Sequence, residues 1–201
     1  MSRQFYSERP RRRRFVRLRA VLAGGLVLGM GAVVTVAAWN DPETATGTFS
    51  SSRFAIESQT ANSSWAAHEP QNPAVLAFDA TGMSPSASHY AHIDFRTTTP
   101  TSVAGRVTPA AVSNDGGALV AFLEYRMAVT APATACTAGL FTGSYVAVAG
   151  LPTPVPSVAL QAGGANVQRV CFDVRIVANA PSSAQGATAN ITWQFTATSA
   201  S

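Results

Sequence analysis

Gln168-Arg169-Val170-Cys171-Phe172-Asp173-Val174-Arg175-Ile176 places Val170, Phe172, Val174 and Ile176 at every second position, with Arg169, Cys171, Asp173 and Arg175 between them. A period of two belongs to a strand with one apolar and one polar face. The candidate strand runs on to Ala178. Ala189 to Ala197 repeats the pattern, with Ile191, Trp193 and Phe195 on one face, and Leu119, Leu123, Tyr125, Met127 and Val129 share a face of the longest candidate. Shorter candidates are Thr48 to Glu57, Val75 to Asp79, Tyr90 to Arg96, Ser102 to Val107, and Tyr145 to Ala149. Turn signals lie between them, among them Asn114-Asp115-Gly116-Gly117, Gly150-Leu151-Pro152, Gly163-Gly164 and Pro181-Ser182-Ser183. Short strands with one apolar face each predict an all-β domain, a two-sheet β-sandwich or jelly roll. No long stretch has helical apolar spacing, and no internal repeat is apparent.

Upstream of these strands the chain changes character. Its charge of +4 and pI near 9.7 suggest a nucleic-acid or membrane binder until the basic residues are located. All 14 are Arg, and eight fall within the first 19 positions: Arg3, Arg9, Arg11, Arg12, Arg13, Arg14, Arg17 and Arg19. From Trp39 onward six Arg stand against nine carboxylates, a net of −3. The basic pI therefore belongs to the N-terminus, and the rest lacks the basic stripe that phosphate-backbone binding needs. Nucleic acid is not an expected partner.

Residues 1–19 form a positive region, Ala20 to Ala38 an uncharged one ending in small residues, which is the order of a signal peptide. Val36-Ala37-Ala38 places the expected cut between Ala38 and Trp39, with Ala37 as an alternative last leader residue. The 19-residue apolar stretch is also long enough to span a bilayer as an uncleaved anchor. Gly24, Gly25, Gly29 and Gly31 weaken that helix and favour the cleaved reading. The Arg12-Arg13-Arg14-Phe15-Val16-Arg17 run also fits a twin-arginine signal, so Sec and twin-arginine export both stay open. The expected division is a signal-peptide helix over 1–38 and a secreted β-sandwich over 39–201.

Cys136 and Cys171 are the only cysteines, and both fall in the exported part. An oxidising exterior predicts a disulfide between them. Closing a loop of about 35 residues is worth roughly 3–4 kcal/mol in chain entropy. Cys171 points away from the apolar face of its strand, so the bond should pin the segment around Cys136 onto the outside of a sheet.

Motifs for catalysis are lacking. His68-Glu69 has no second His four residues on, and His89 and His92 fall on opposite faces of an alternating strand, read as exposed. No Ser sits in a G-x-S-x-G elbow, although a triad can assemble from residues distant in sequence. The nine carboxylates after Trp39 form no D-x-D-x-D loop and read as solvated surface. No cofactor, metal site or catalytic residue is expected. Leu151-Pro152-Thr153-Pro154 lies mid-chain with no apolar tail and is no sortase signal.

Leu22-Ala23-Gly24-Gly25-Leu26 through Thr35-Val36-Ala37-Ala38-Trp39-Asn40-Asp41, then Thr46-Gly47-Thr48-Phe49 and Phe54-Ala55-Ile56, resembles the SipW-dependent signal-peptide class, the TasA/camelysin-like exported proteins. Met83-Ser84-Pro85-Ser86-Ala87-Ser88-His89-Tyr90 is similar to that class's Leu-x-Pro-Gly turn before a strand with an early Tyr, with Ser86 in place of Gly. The Arg-only basic usage and the Cys pair look like a high-GC, actinobacterial branch. The resemblance covers about residues 20–60 and, more weakly, 83–95. It implies a jelly-roll-like β-sandwich, a SipW-like signal peptidase as partner during export, and a place in the extracellular matrix or on the cell surface of a Gram-positive-type bacterium. Membrane contact is then through the uncleaved leader only.

The first functional reading is a non-enzymatic surface or matrix protein, assembling as a homo-polymer by N-terminal strand addition. Its expected assembly strand is Trp39, Thr44, Thr46, Thr48 and Phe49, freed at a terminus by cleavage, with Pro42 keeping pairing to Thr44 onward. An ordinary first strand over 44–57 within the chain's own domain is the alternative for that segment. An extracellular binding module for a glycan, peptide or ion is the second functional reading. A camelysin-like metallopeptidase is the third, without a zinc motif to support it.

Overall fold

The computed structural model describes residues 15–23, 25, 46–78 and 80–200. By its internal contacts the chain divides into two units, Met1–Phe49 and Ser50–Ser201. In the first, residues 15–23 and 25 are helical and exposed, and 46–49 have no regular structure. Among the described residues no helix is long and apolar enough to cross a membrane. The expected cleavage junction Ala38/Trp39 and Thr44 lie outside the described residues.

The second unit is a two-sheet β-sandwich built from β1 (Ile56–Thr60), β2 (His89–Thr97), β3 (Gly105–Asn114), β4 (Leu123–Thr130), β5 (Val146–Ala147), β6 (Val158–Leu160), β7 (Gln168–Ile176) and β8 (Ile191–Ser199). One sheet has the order β1-β2-β7-β4-β5, the other β6-β3-β8, and every pairing is antiparallel. Three of the pairs are nested: β4 with β5, β3 with β6 outside it, and β2 with β7 outside that. The nested pairs alternate between the sheets.

Alternation decides which side chains meet. Val170, Phe172, Val174 and Ile176 of β7 face inward beside Ile93 and Phe95 of β2 and Leu123 and Tyr125 of β4. The small sheet answers with Val107, Val158, Leu160, Trp193 and Phe195. Phe172 is the hub, with ring centroids 4.9 Å from Trp193 and 6.5 Å from Phe195, and the Phe95 ring lies tilted against Phe195 at 4.9 Å. Rings offset or tilted at these separations gain quadrupole attraction beyond their burial.

Several expected strands differ. Thr48 to Glu57 is not a strand until Ile56, so the first strand is short and later than its Thr-rich start suggests. Residues 73–78 are irregular: Leu76 and Phe78 are carried to the core by a loop. Leu119 is buried but precedes a 3-10 turn over Val120–Phe122, and the strand begins only at Leu123. The candidate Ser102 to Val107 becomes strand only at Gly105 and then continues past Pro109 to Asn114, because the ladder shifts register between Pro109 and Ala111. A bulge is where a central strand tolerates a residue without an N–H donor. Ser86 adopts φ +66°, the left-handed region that favours glycine, and its N–H donates to the Ile176 carbonyl at 2.8 Å.

Candidate functional site

Two features of the sandwich bear on function: a groove between the sheets and a clamped polar layer on the outer face of the larger sheet. The groove exists because the three-stranded sheet covers only part of its larger partner. Among the described residues β8 is bonded on one side to β3 and to no strand on the other. Across from it, the 68–83 stretch of the loop between β1 and β2 lies over the inner face of the larger sheet. Between them runs a groove of about 1160 Å3.

Its floor is apolar, formed by Ile56, Phe78, Phe172, Val174, Trp193 and Phe195. Its rim is polar, with Glu57, His68, Glu69, Asn190 and Gln194. Val75 on the rim is 67% exposed. Strand β8 reads Ile-Thr-Trp-Gln-Phe-Thr-Ala-Thr-Ser, without a charge or a proline. Ile191, Trp193, Phe195 and Ala197 are half-buried toward the groove side, and Thr192, Gln194, Thr196 and Thr198 are exposed. An uncharged nine-residue edge carries none of the devices that usually block strand addition.

A serine–histidine pair also lines the groove. Ser58 Oγ and His68 Nδ1 are 2.9 Å apart, within the range of a nucleophile and its base. The pair also takes part in fastening the loop to β1. The Ser58 N–H donates to the Ala66 carbonyl and so is not free to stabilise an oxyanion. Thr60, two residues on, makes similar pins, its Oγ1 donating to the Val75 carbonyl at 2.8 Å and lying 3.0 Å from Ser63 Oγ. These hydroxyls together tie the loop to β1. No signal in the sequence joins Ser58 to His68, since the contact depends on how the loop turns back.

On the outer face of the large sheet the polar residues of the alternation are paired. Asp94 meets Arg169 through both carboxylate oxygens, at 2.7 and 2.9 Å. Asp173 accepts from Arg126 at 2.9 Å, Glu124 from Arg175 at 2.7 Å, and Glu57 pairs with Arg96. The expectation of solvated carboxylates fails here, because Asp173 and Asp94 are buried, Asp173 completely. A polar strand face leaves the solvent when another segment covers it. That segment is 131–145, between β4 and β5.

Cys136 is joined to Cys171, with Cα atoms 5.6 Å apart, and Cys171 sits on the outer face of β7 as its alternation requires. Arg169 donates to the Thr134 carbonyl and Arg126 to the Phe141 carbonyl, each at 3.1 Å. Phe141 stacks on Tyr90 at 5.9 Å. The Tyr145 ring lies 4.4 Å from the Arg126 guanidinium and 3.6 Å from that of Arg175, while its hydroxyl donates to Asp173 at 2.7 Å. Burial raises the Tyr145 pKa above its ordinary value, opposed by the Ser88 hydrogen bond.

The histidines differ in part from expectation. His89 stands opposite Val174 on the inner face and His92 opposite Cys171 on the outer, so they do part, but both are half-buried rather than exposed. Burial, then the nearby Arg169 charge, lowers the His92 pKa against the pull of Asp94. Among the described residues no three His, Cys, Asp or Glu side chains are grouped to hold a metal ion.

Of the expected assembly strand, Thr46, Thr48 and Phe49 are described, and all three are exposed and outside any strand. Phe49 is 95% exposed. Trp39 and Thr44 lie outside the described residues, as does Ala38. No model of a known protein family matches the chain, and no curated protein matches it either.

Proposed function

We propose that the chain is an exported structural protein of the cell surface or extracellular matrix, whose copies join when the N-terminal segment of one adds as a strand to the sandwich of the next. The carrying observation is Phe49, a large apolar side chain left 95% exposed, with residues 46–49 in no strand. The alternative of an ordinary first strand over 44–57 is met as regular strand only at Ile56 and Glu57, although the Ala55 and Arg53 carbonyls upstream already accept from the Thr98 and Ser102 N–H groups. The receiving site in this reading is β8, with main-chain groups available along its edge and aromatic floor residues beside it. Such a contact is head-to-tail and continues into a filament.

The leader's order of charge and apolar residues supports export, and the Cys136–Cys171 bond agrees with an oxidising compartment. The nested strand pairs support a jelly-roll reading of the sandwich, with β8 appended beside β3. Ser86, held in the conformation a glycine would take, keeps the turn of the resemblance to the SipW-dependent class despite the changed residue. A SipW-like peptidase would free the assembly strand by cutting at Ala38/Trp39.

The groove also favours one form of the second reading, a module for an extended apolar peptide rather than a glycan or ion, because its floor is aromatic and aliphatic. Light scattering of the chain starting at Trp39 against one starting at Ser50 separates the two. Concentration-dependent growth of the first and a monodisperse second are expected. Equal growth of both, or of neither, contradicts strand addition.

A further inference from the structure

We infer that the segment 131–145 is a redox-latched cover, which thiol exchange at Cys136 opens while the sandwich beneath stays folded. Both of its ends join the same sheet, at β4 and β5, so the segment can lift without separating the two sheets. Its one buried apolar side chain, Phe141, packs on Tyr90 and stands apart from the inter-sheet core around Phe172. The core does not depend on the cover.

The cover's polar contacts are replaceable by water. Arg169 and Arg126 stay paired to Asp94 and Asp173 when the Thr134 and Phe141 carbonyls leave. Opening exchanges the Tyr145 hydrogen bond to Asp173 Oδ2 for water at the buried Oδ1, which has no hydrogen-bond partner under the cover, while Arg126 stays bonded to Oδ2. Besides these contacts, the Tyr145 ring at the β5 end of the segment lies on the Arg126 and Arg175 guanidiniums, and one covalent bond ties Cys136 to β7. The disulfide is what holds an otherwise strippable segment over four buried or half-buried charges.

Access to the two sulfurs is unequal. Cys171 is fully buried, whereas Cys136, on the cover, is only half-buried. A dithiol reductant therefore attacks Cys136 Sγ as its thiolate, and the electron pair of the broken S–S bond leaves on Cys171 Sγ, which takes up a proton. The reductant's second thiol then displaces Cys136 as a thiol and closes the reductant's own disulfide. Two electrons and two protons pass to the protein. The freed Cys171 thiol is left directly opposite His92 on the exposed face.

Peptide-resolved hydrogen exchange of the intact chain, before and after dithiothreitol, tests this. Exchange within 131–145 is expected to rise at least tenfold, with β2, β4 and β7 unchanged. The variant Cys136→Ser should show the open pattern without reductant. The inference is overturned if dithiothreitol leaves the bond intact in the folded protein, or if 131–145 stays protected after reduction. It is equally overturned if all strands lose protection together, or if Cys136→Ser does not fold, since the sandwich would then depend on the bond.

Discussion

Ser86 holds a backbone conformation that costs a residue with a Cβ about 1–2 kcal/mol relative to glycine. Its N–H is bonded to the Ile176 carbonyl and its neighbour Pro85 bridges to the same residue, so the turn is fixed to the end of β7 and cannot relax. Ser86→Gly should therefore raise unfolding stability by about 0.5–1 kcal/mol, the relief of strain being partly offset by a more flexible unfolded chain. Urea titration of the two proteins measures it, and an unchanged or lower midpoint would count against the strain. Tyr125 has a different signature. Its fully buried hydroxyl donates to the Gly150 carbonyl at 2.7 Å, and burial pushes its pKa up to about 12 from 10. Below pH 10 the phenol is neutral in both folded and unfolded chains and the shift has no effect on stability. Between about pH 10 and 12 the unfolded chain ionises and the folded one does not, so stability falls across that window and levels off above it. Thermal unfolding followed from pH 8 to 12 should show the decline, and Tyr125→Phe should flatten it.

Strands β2, β7 and β8 were legible because alternation there is uninterrupted, and the two faces it assigns are the ones the fold uses. Legibility fails where another force sets the backbone. The candidate Ser102 to Val107 stops short of Pro109, yet a bulge carries β3 past it. Strand β6 has three residues, too few for a period to register. The apolar run after Val75 has strand composition, but residues 73–78 are fastened as a loop by the Thr60 hydroxyl and sink Phe78 against Phe172 and Trp193. Propensity alone cannot report a hydroxyl supplied from another strand. On the outer face, alternation placed Arg169, Cys171, Asp173 and Arg175 correctly but gave no sign that they would be covered. The cover has no regular pattern of its own beyond one 3-10 turn at Ala138–Leu140.

At the scale of the whole molecule, the disulfide partners were legible from their count. The groove was not, because it arises from the unequal width of two sheets, five strands against three. Among the described residues that inequality leaves β8 unpaired on one edge beside an aromatic floor, the edge to which strand addition is proposed. The most direct measurement titrates a synthetic peptide of residues 39–49 into the chain starting at Ser50 and follows backbone amides by hydrogen exchange. The account predicts one bound peptide per chain, with slowed exchange along Ile191–Ser199 and little change in β1 or β5. No binding, or protection that appears elsewhere and spares β8, would contradict it.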